Sequence, residues 1–412
     1  MANLSKGTKE RLFHITRRNF PKKWMAYLIR FGAFAVAILI CAIVSAIVSD
    51  RGFGMFFYDL FDGAFGTERR IWDLFHNTAL LLLIALAVTP AFKMRFWNIG
   101  AEGQVLIGAL ACSAVIQYLG GKLPNAALIP LMILAGIAGG VVWSVIPAIF
   151  KARWNTNETL FTLMMNYLAT CFTAFCIASW APKGSGTLTF KTGFLPELGN
   201  QFVLKILVAV VLMVFLFVYL RYSKHGYELS VVGESERTAQ YIGINVRKVI
   251  IRTMILCGIL CGIAGVLLVA GTHHAIHKTD TVAGRGFTAI LVSWLAKFNP
   301  LTMGFTAFLV VFIQKGTGQY ATLGGLGSAY SDVMTGIFFI LIISCEFFIN
   351  YRIVFRHFAD KKKSAPVEIP VSSEPETKPV LTTPEGSDPP PSEEIVEPVA
   401  EEGKIDKKED EE

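Results

Sequence analysis

Residues 25–48 read MAYLIRFGAFAVAILICAIVSAIV, a run of 24 residues with one charged side chain, Arg30, near its start. At about 1.5 Å per residue, a helix of this length reaches roughly 36 Å, enough to cross a bilayer with a hydrocarbon core of about 30 Å. The apolar region of a cleaved signal peptide is only about 7–15 residues long. The run therefore predicts an uncleaved membrane-spanning helix.

The whole chain has the composition of a membrane protein. Of its 412 residues, 53% are hydrophobic and 17% are charged, and the mean hydropathy is +0.52. Soluble proteins carry about 25% charged residues. Because this chain has too few charges to coat a soluble surface, a soluble enzyme is excluded. We predict an all-α, polytopic bundle of about ten (8–10) transmembrane helices in contact with membrane lipid. The further spans are expected at residues 71–92, 98–119, 126–150, 159–181, 202–220, 250–271, 286–297, 300–314 and 332–350.

Two of the predicted spans, 286–297 and 300–314, are short. They are either half-helices or one re-entrant hairpin joined at Asn299-Pro300, since non-helical backbone is tolerated at membrane depth only where protein or water surrounds it. The sequence leaves both possibilities open.

Basic residues indicate the orientation of the bundle. With ten spans both termini are cytoplasmic, and the segments then on the inside hold 23 Lys and Arg residues against 9 on the outside. This asymmetry is what the positive-inside rule requires. It also accounts for the net charge of +7 without a nucleic-acid partner, because the positive charge flanks apolar spans.

The chain divides into three predicted segments. Residues 1–24 form a basic cytoplasmic segment, and residues 25–350 form the membrane domain, which includes a cytoplasmic loop at 221–250. Residues 351–412 are basic and then acidic, with 16 acidic and 7 basic residues from Asp360 to Glu412. Such a composition cannot bury enough apolar surface to offset the entropy of ordering. We therefore predict a disordered cytoplasmic tail.

The sequence lacks the motifs that several kinds of chemistry require. There is no GxxxxGK[ST] loop, so the chain is not expected to hydrolyse a nucleotide by itself. The seven cysteines lie almost entirely in apolar runs and form no CxxC pair, which is typical of reduced core residues. No catalytic set stands out, and no cofactor is expected. The glycine clusters at 316–318 and 324–327 are interpreted as tight turns near the outer mouth.

The first informative stretch is FWNIGAEGQ, residues 96–104. Asn98 can cap a helix whose first turn contains Glu102, where the helix dipole favours a negative charge. One interpretation is a simple cap at the membrane surface. The other is a helix start that dips into the membrane beside a polar cavity, where an acidic residue usually has a task or a partner. We expect Asn98, Glu102 and Gln104 to line a substrate pathway.

The second stretch is the helix that begins near Asn157. Glu158, Thr162, Asn166 and Thr170 recur every four residues inside an apolar span, so they follow one side of the helix. Such a stripe must face protein or water. It either forms hydrogen bonds that hold neighbouring helices together or lines the wall of a translocation pathway. We favour the pathway, with Glu158, Thr162 and Asn166 as its residues.

The third stretch lies in the loop at 221–250. Ser235 resembles an N-cap, and Gly243 suits the position after a helix end. The intervening helix has barely two turns and would be marginal alone in water. It is either a docking helix whose small or apolar face fits a partner's groove, or a surface helix on the bilayer.

Two other patterns carry less specific predictions. Gly136 and Gly140, like Gly258 and Gly262, are spaced for close helix packing. His273, His274 and His277 fall in an outer loop, where a zinc site would need a further ligand such as Asp280. A solvated loop or pathway rim is the favoured interpretation of these histidines.

Taken together, these stretches resemble the permease subunits of bacterial ABC importers, in the family that serves ribose-type sugars, branched-chain amino acids and nucleosides. The resemblance covers roughly residues 75–345. Residues 157–167 and the Asn299-Pro300 turn look most like those of the nucleoside-uptake permeases. The other shared patterns are Asn98–Gln104, Tyr241–Val246, Cys257–Gly265 and Gly284–Ile290.

The resemblance implies a multi-pass permease of the bacterial inner membrane that imports a nucleoside, with a purine nucleoside as the expected cargo. It implies three partners: an ABC ATPase that hydrolyses the ATP, a second homologous permease, and an extracytoplasmic substrate-binding lipoprotein. The ATPase would dock on the coupling segment, which contains Glu234, Ser235, Arg237, Thr238, Ala239, Tyr241 and Gly243.

Three alternatives differ in cargo or mechanism. The same fold could import a simple sugar or a branched-chain amino acid. A secondary transporter would use an intramembrane carboxylate such as Glu102 for proton coupling. An intramembrane enzyme would need a catalytic pair in the bilayer, and the sequence does not offer one convincingly.

Overall fold

Long apolar helices make up most of the described chain. The computed structural model describes residues 13–17, 23–49, 51–197, 199–278, 281–327 and 329–355. In these ranges nine helices are long and apolar enough to cross a membrane, and one further apolar helix is shorter. The predicted all-α, polytopic fold is therefore confirmed. The helices are α1 (Lys23–Val48), α2 (Phe53–Phe65), α3 (Glu68–Lys93), α4 (Ala101–Leu119), α5 (Asn125–Trp154), α6 (Glu158–Trp180), α7 (Val203–Tyr222), α8 (Lys224–Glu234), α9 (Glu236–Tyr241), α10 (Val246–Leu268), α11 (Arg285–Leu295), α12 (Pro300–Leu323) and α13 (Ala329–Asn350).

Polar caps determine where several helices begin. The side chains of Thr67, Asn157 and Asn245 each accept a hydrogen bond from a backbone N–H in the first turn of α3, α6 and α10, respectively. These bonds satisfy N–H groups that have no partner inside the helix. At α12, Asn299 is the cap and Pro300 is the first helical residue, a position where the missing N–H of proline costs nothing.

Glycines allow α10 to pack closely against α5. A Cβ atom added at Gly140 would lie 2.4 Å from the carbonyl oxygen of Gly258, and one added at Gly262 would lie 2.6 Å from that of Gly136. The two backbones are therefore in direct contact, and the predicted small-residue packing is confirmed. Helix α10 also packs against α3 and α4, which places it at the centre of the bundle.

The region predicted as two short spans contains one short and one long helix. Helix α11 has 11 residues, whereas α12 has 24 and continues through Gly316 and Gly318 to Leu323. The prediction that α12 ends at residue 314 and that residues 316–318 form a turn was therefore wrong. Gly324 and Gly325 do follow the helix end, as expected. A further helix, α2, forms in the segment predicted as an outer loop.

The segment between α10 and α11 is irregular. Helix α10 continues into a π-helical turn at Val269–His273, and His274 has left-handed backbone geometry. Strand β3 (Ala275–His277) then pairs antiparallel with β2 (Thr187–Thr189). Helix α11 begins only after this segment, so it is about half the length of its neighbours.

Residues near both termini of the described chain pair with each other. Strand β1 (Phe13–Arg17) lies antiparallel to β4 (Tyr351–Phe355), which immediately follows α13. The first five residues of the predicted disordered tail are thus a strand. The rest of that tail, residues 356–412, lies outside the described residues, as does most of the basic segment at 1–24.

Candidate translocation site

The carboxylate of Glu102 joins α4 to the start of α11. Its Oε1 atom accepts a hydrogen bond from the backbone N–H of Gly284 at 2.9 Å, and its Oε2 atom accepts one from Gly286 at 2.6 Å. A Cβ atom at Gly286 would lie 2.5 Å from the backbone nitrogen of Glu102, so only glycine allows this approach. Glu102 lies in the first turn of α4, as predicted, but its carboxylate caps the N-terminus of α11.

Helix α4 begins well inside the length of α6. The N–H of Gly103 donates to Oδ1 of Asn166 at 2.8 Å. Asn166 lies eight residues after Glu158, the first residue of α6, which corresponds to about 12 Å along the helix. This placement is the one expected for a helix start within the bundle, and not for a cap at its surface.

Two members of the polar stripe on α6 bind the backbone that precedes α4. Asn166 Nδ2 donates to the carbonyl oxygen of Ile99 at 2.9 Å. Thr162 Oγ1 accepts from the N–H of Ile99 at 3.2 Å and donates to the carbonyl oxygen of Glu158 at 2.8 Å. Both side chains are buried. These contacts join α6 to the segment before α4 by hydrogen bonds, and the role of both residues in a pathway stays a prediction.

The other members of the stripe are engaged elsewhere. Glu158 forms an ion pair of 2.9 Å with Lys151 at the end of α5. Thr170 donates to the carbonyl oxygen of Asn166 in its own helix. The four residues share one side of α6, but the structure brings only Thr162 and Asn166 to the segment before α4.

Asn98 and Gln104 form a reciprocal amide pair. Asn98 Nδ2 donates to Gln104 Oε1 at 3.3 Å, and Gln104 Nε2 donates to Asn98 Oδ1 at 3.1 Å. Asn98 is 0% exposed and Gln104 is 1% exposed. Oδ1 of Asn98 also accepts from the N–H of Gly100. The pair folds the loop before α4 back onto the helix.

A polar cavity of about 500 Å³ lies between α3, α11, α12 and the start of α13. By the predicted orientation it occupies the outward end of the bundle. Its volume falls within the roughly 300–1,000 Å³ of small-molecule sites. Its polar lining consists of Arg70, Asp73, Asn77, Arg285, Thr288, Gln314, Lys315, Gln319, Thr322, Ser331 and Asp332.

A chain of polar contacts crosses this cavity from α12 to α11. Lys315 Nζ of α12 lies 2.5 Å from Oδ2 of Asp73 on α3. Asp73 Oδ1 also accepts from Nδ2 of Asn77 at 2.9 Å, and Asn77 Oδ1 accepts from Nη2 of Arg285 at 3.2 Å. Arg285 lies between the two glycines that Glu102 caps. The Glu102 cap therefore positions one wall of the cavity.

Ion pairs also hold α2 beside the cavity. Arg70 Nη1 of α3 lies 2.6 Å from Oδ2 of Asp62, which also accepts a 3.4 Å hydrogen bond from Gln319 of α12. The buried carboxylate of Asp59 pairs with Arg51 at 3.0 Å. These contacts join the short helix α2 to its longer neighbours.

The sequence carries only a partial signal for this cavity. Arg70, Asp73 and Asn77 are spaced by three and four residues, so they share one face of α3. Lys315 and Gln319 have the same spacing on α12, but the glycines at 316 and 318 predict a turn there. The contact between the two faces depends on tertiary packing, which no local pattern contains.

The predicted coupling segment contains the short helix α9. Oγ of Ser235 accepts a hydrogen bond from the N–H of Thr238 at 3.2 Å, and Gly243 has a φ of 85°, as the predicted cap and helix end require. Ala239, however, is 0% exposed, so it cannot contact a partner as predicted. Tyr241 is 93% exposed. The exposed residues of the segment are Glu234, Glu236, Arg237, Thr238, Gln240, Tyr241, Ile242 and Gly243.

The outer histidines do not form a metal site within the described residues. No group of three or more His, Cys, Asp or Glu side chains there could hold a metal ion, and Asp280 lies outside the described residues. The ring of His274 packs against Phe194, with centroids 4.2 Å apart. Burial lowers the pKa of His274, and the charge of nearby Lys205 lowers it further.

Comparison with known proteins identifies the type of this bundle. The family model described as the permease component of the branched-chain amino acid transport system matches residues 71–343, more than half of the chain. The guanosine ABC transporter permease protein of Bacillus subtilis is 29% identical over 315 residues, which cover 74% of this chain and 88% of that protein. The nucleoside ABC transporter permease protein NupB of Lactococcus lactis is 28% identical, and the match covers 69% of this chain and 82% of that protein. The glucose ABC transporter permease protein of Haloferax volcanii is 28% identical, and the match covers 82% of this chain and 92% of that protein.

Proposed function

Because this chain belongs to the family of ABC transporter permease components, and is a transport subunit and not an enzyme, we propose that it forms the pathway by which a nucleoside crosses the bacterial inner membrane. The observation that carries the proposal is the polar cavity among the membrane helices, which is large enough for a small solute. Two of the relatives described above are named for guanosine and for nucleosides. Their names, together with this cavity, support a nucleoside as the proposed cargo.

The predicted pathway residues would act mainly by positioning the walls of the cavity. Glu102 fixes the backbone on both sides of Arg285, which lines the cavity. Thr162 and Asn166 hold the segment before α4, and the Asn98–Gln104 pair folds that segment onto the helix. In this proposal they form a rigid junction beneath the cavity.

An ABC permease works with an ATPase on a separate chain, and we propose that this ATPase binds the segment from Glu234 to Gly243. The exposed side chains of Tyr241 and Ile242 there are apolar or aromatic, which suits a protein partner. Arg252 of α10 donates to Glu228 of α8 at 2.6 Å. This ion pair links the helix before the coupling segment to the central helix of the bundle, so movement of α9 would be transmitted to α10.

The remaining proposed partners are a second homologous permease and an extracytoplasmic substrate-binding lipoprotein. The lipoprotein would deliver the nucleoside to the outward end of the cavity. The ion pair between Arg51 and the buried carboxylate of Asp59 holds α2 at that end. The outward face of α2 therefore forms part of the surface on which a delivered nucleoside would arrive.

One alternative cargo has a specific observation behind it. The permease from Haloferax volcanii is named for glucose, and it matches this chain at an identity similar to that of the nucleoside permeases. A simple sugar is therefore the second candidate. Proton coupling through Glu102 is less well supported, because both of its carboxylate oxygens accept hydrogen bonds from backbone N–H groups.

Uptake by cells tests the proposed function. A bacterial strain without nucleoside uptake would produce the chain together with its proposed ATPase, second permease and lipoprotein. We expect it to accumulate labelled guanosine and not labelled glucose, and to lose uptake when the ATPase is inactivated. Accumulation of glucose alone would assign the second cargo, and guanosine uptake that survives loss of the ATPase would contradict the energy source.

A further inference from the structure

The described lining of the polar cavity has no aromatic ring on which a nucleobase could stack. Proteins bind the flat faces of bases by stacking aromatic rings on them. None of the described residues that line the cavity is aromatic. The polar part of its lining consists of carboxylates, amides, hydroxyls and basic groups. These groups bind solutes through hydrogen bonds, so the part of a cargo held here should carry several hydroxyl groups.

The cations of the cavity are already paired with partners inside the protein. A phosphate group is bound by Arg and Lys side chains that direct their donors at it. In this cavity, each of the three basic side chains has an oxygen partner. The pairs are Arg70 with Asp62, Lys315 with Asp73 and Arg285 with Asn77. A site of this kind favours an uncharged solute over a nucleotide.

Two polar side chains of the cavity remain available. The carboxylate of Asp332 and the side-chain amide of Gln314 form no hydrogen bond or ion pair with any other described residue, although both line the cavity. They belong to neighbouring helices that are fixed to each other, because Ser331 Oγ donates to the carbonyl oxygen of Gln314 at 2.8 Å and bonds Thr317 Oγ1 at 2.9 Å. These bonds join the two helices that carry Asp332 and Gln314, and both side chains line the same cavity.

We propose that Asp332 and Gln314 bind the ribose hydroxyls of the nucleoside, and that the base makes no specific contact in this cavity. The inference rests on the proposed function, since it names the part of the cargo that the same cavity recognises. The two oxygens of a carboxylate can accept from two adjacent hydroxyl groups, in bonds stronger than those between neutral groups. The amide of Gln314 supplies both a donor and an acceptor to the same ring.

Saturation-transfer NMR on the full-length chain in lipid nanodiscs tests the proposal directly. The probes are guanosine, uridine and 2′,3′-dideoxyguanosine. We expect the ribose protons of guanosine and uridine to receive more saturation than the base protons, and the dideoxy compound to give little signal. Asp332→Asn should weaken guanosine binding about tenfold, the order of magnitude for loss of a hydrogen bond to a charged group.

A matched variant separates this effect from a general loss of charge. Glu68, at the start of α3, is exposed and does not line the cavity. Glu68→Gln should leave guanosine binding unchanged. If Asp332→Asn alters the fold, Gln314→Leu serves as the second variant, and it should also weaken guanosine binding. Base protons that receive the strongest saturation, equal binding of the dideoxy compound, or no binding of any probe would each overturn the inference. Guanosine uptake by the whole importer judges the proposed function separately from these outcomes.

Discussion

The Oε2 atom of Glu102 accepts a 2.6 Å hydrogen bond from the backbone N–H of Gly286, across 184 residues of sequence. The contact places a negative charge at the positive end of α11, where the first N–H groups have no partner in their own helix. It connects the start of one helix to the start of another. The position of Arg285 in the cavity wall depends on it.

Replacing Glu102 with glutamine should loosen this junction. Glu102→Gln removes the charge and turns an NH₂ group toward one of the two backbone N–H donors. Hydrogen bonds to charged groups contribute about 1.5–3 kcal/mol each. We expect a lower thermal unfolding midpoint in nanodiscs and reduced guanosine uptake. Glu68→Gln, an exposed carboxylate without such contacts, is the control, and equal behaviour of the two variants would contradict the capping role.

Gly286→Ala should disrupt the same junction from the other side. Its Cβ atom would lie 2.5 Å from the backbone nitrogen and 2.7 Å from Oε2 of Glu102. Backbone cannot move aside easily, so we expect a destabilisation of about 1–3 kcal/mol, typical of overpacking. The matched control is Gly336→Ala in α13, where an added Cβ meets no atom within 4 Å. A thermal midpoint as low in the control as in Gly286→Ala would show that helical glycines in general are responsible.

The sequence predicted the helices well, because a membrane helix must satisfy its backbone within one continuous apolar run. It also predicted that Glu102 would occupy a helix start. Local pattern could not name Gly284 and Gly286 as its partners, because they are distant in sequence. The polar stripe was likewise identified correctly as a face of α6, whereas its engagement by Ile99 and Gly103 depends on how α4 folds back.

The missed part of α12 has a physical explanation. Gly316 was interpreted as part of a turn, yet it is a helical residue whose missing side chain admits α2. A Cβ atom there would lie 2.4 Å from Cδ1 and 2.7 Å from the carbonyl oxygen of Leu60. In a membrane helix, glycine often marks close packing instead of a helix end. Because the predicted helix ends at residue 314, Lys315 and Gln319 fall in a predicted loop, and the sequence does not predict the cavity.

Tyr241 should contribute to ATPase binding without contributing to the fold. Truncating an exposed side chain usually changes stability by less than about 0.5 kcal/mol, whereas an aromatic residue central to an interface can contribute 2 kcal/mol or more, roughly a thirtyfold change in affinity. We expect Tyr241→Ala to keep its thermal midpoint and to lose co-purification with the ATPase. Tyr227→Ala, an exposed tyrosine on α8, is the control. Retention of the ATPase by Tyr241→Ala would exclude this contact.

The ion pair between α8 and α10 should make stability depend on pH. The hydrogen bond from Arg252 holds the pKa of Glu228 below its ordinary value of 4.5. Because the folded-state pKa is lowered, the ionised carboxylate stabilises the fold above that ordinary value, and the contribution is lost as the pH falls through the lowered pKa. Thermal midpoints measured from pH 6 to pH 3 should therefore fall less steeply for Arg252→Gln than for the wild type. Parallel curves would show that the pair does not contribute.

The Lys315–Asp73 pair should respond to exchange of its charges. Both side chains are about a third or more exposed, and such pairs contribute only about 0–1 kcal/mol to stability. The effect should therefore appear in guanosine uptake and not in the amount of folded protein. Asp73→Lys places two cations together on facing helices, and Lys315→Asp places two carboxylates there, so each single variant should reduce uptake. The double variant restores an opposite-charge pair across the cavity and should recover uptake at least in part. If the double variant is produced normally but transports no better than either single one, the individual contacts of Asp73, such as its bond to Asn77, control passage instead of the pair.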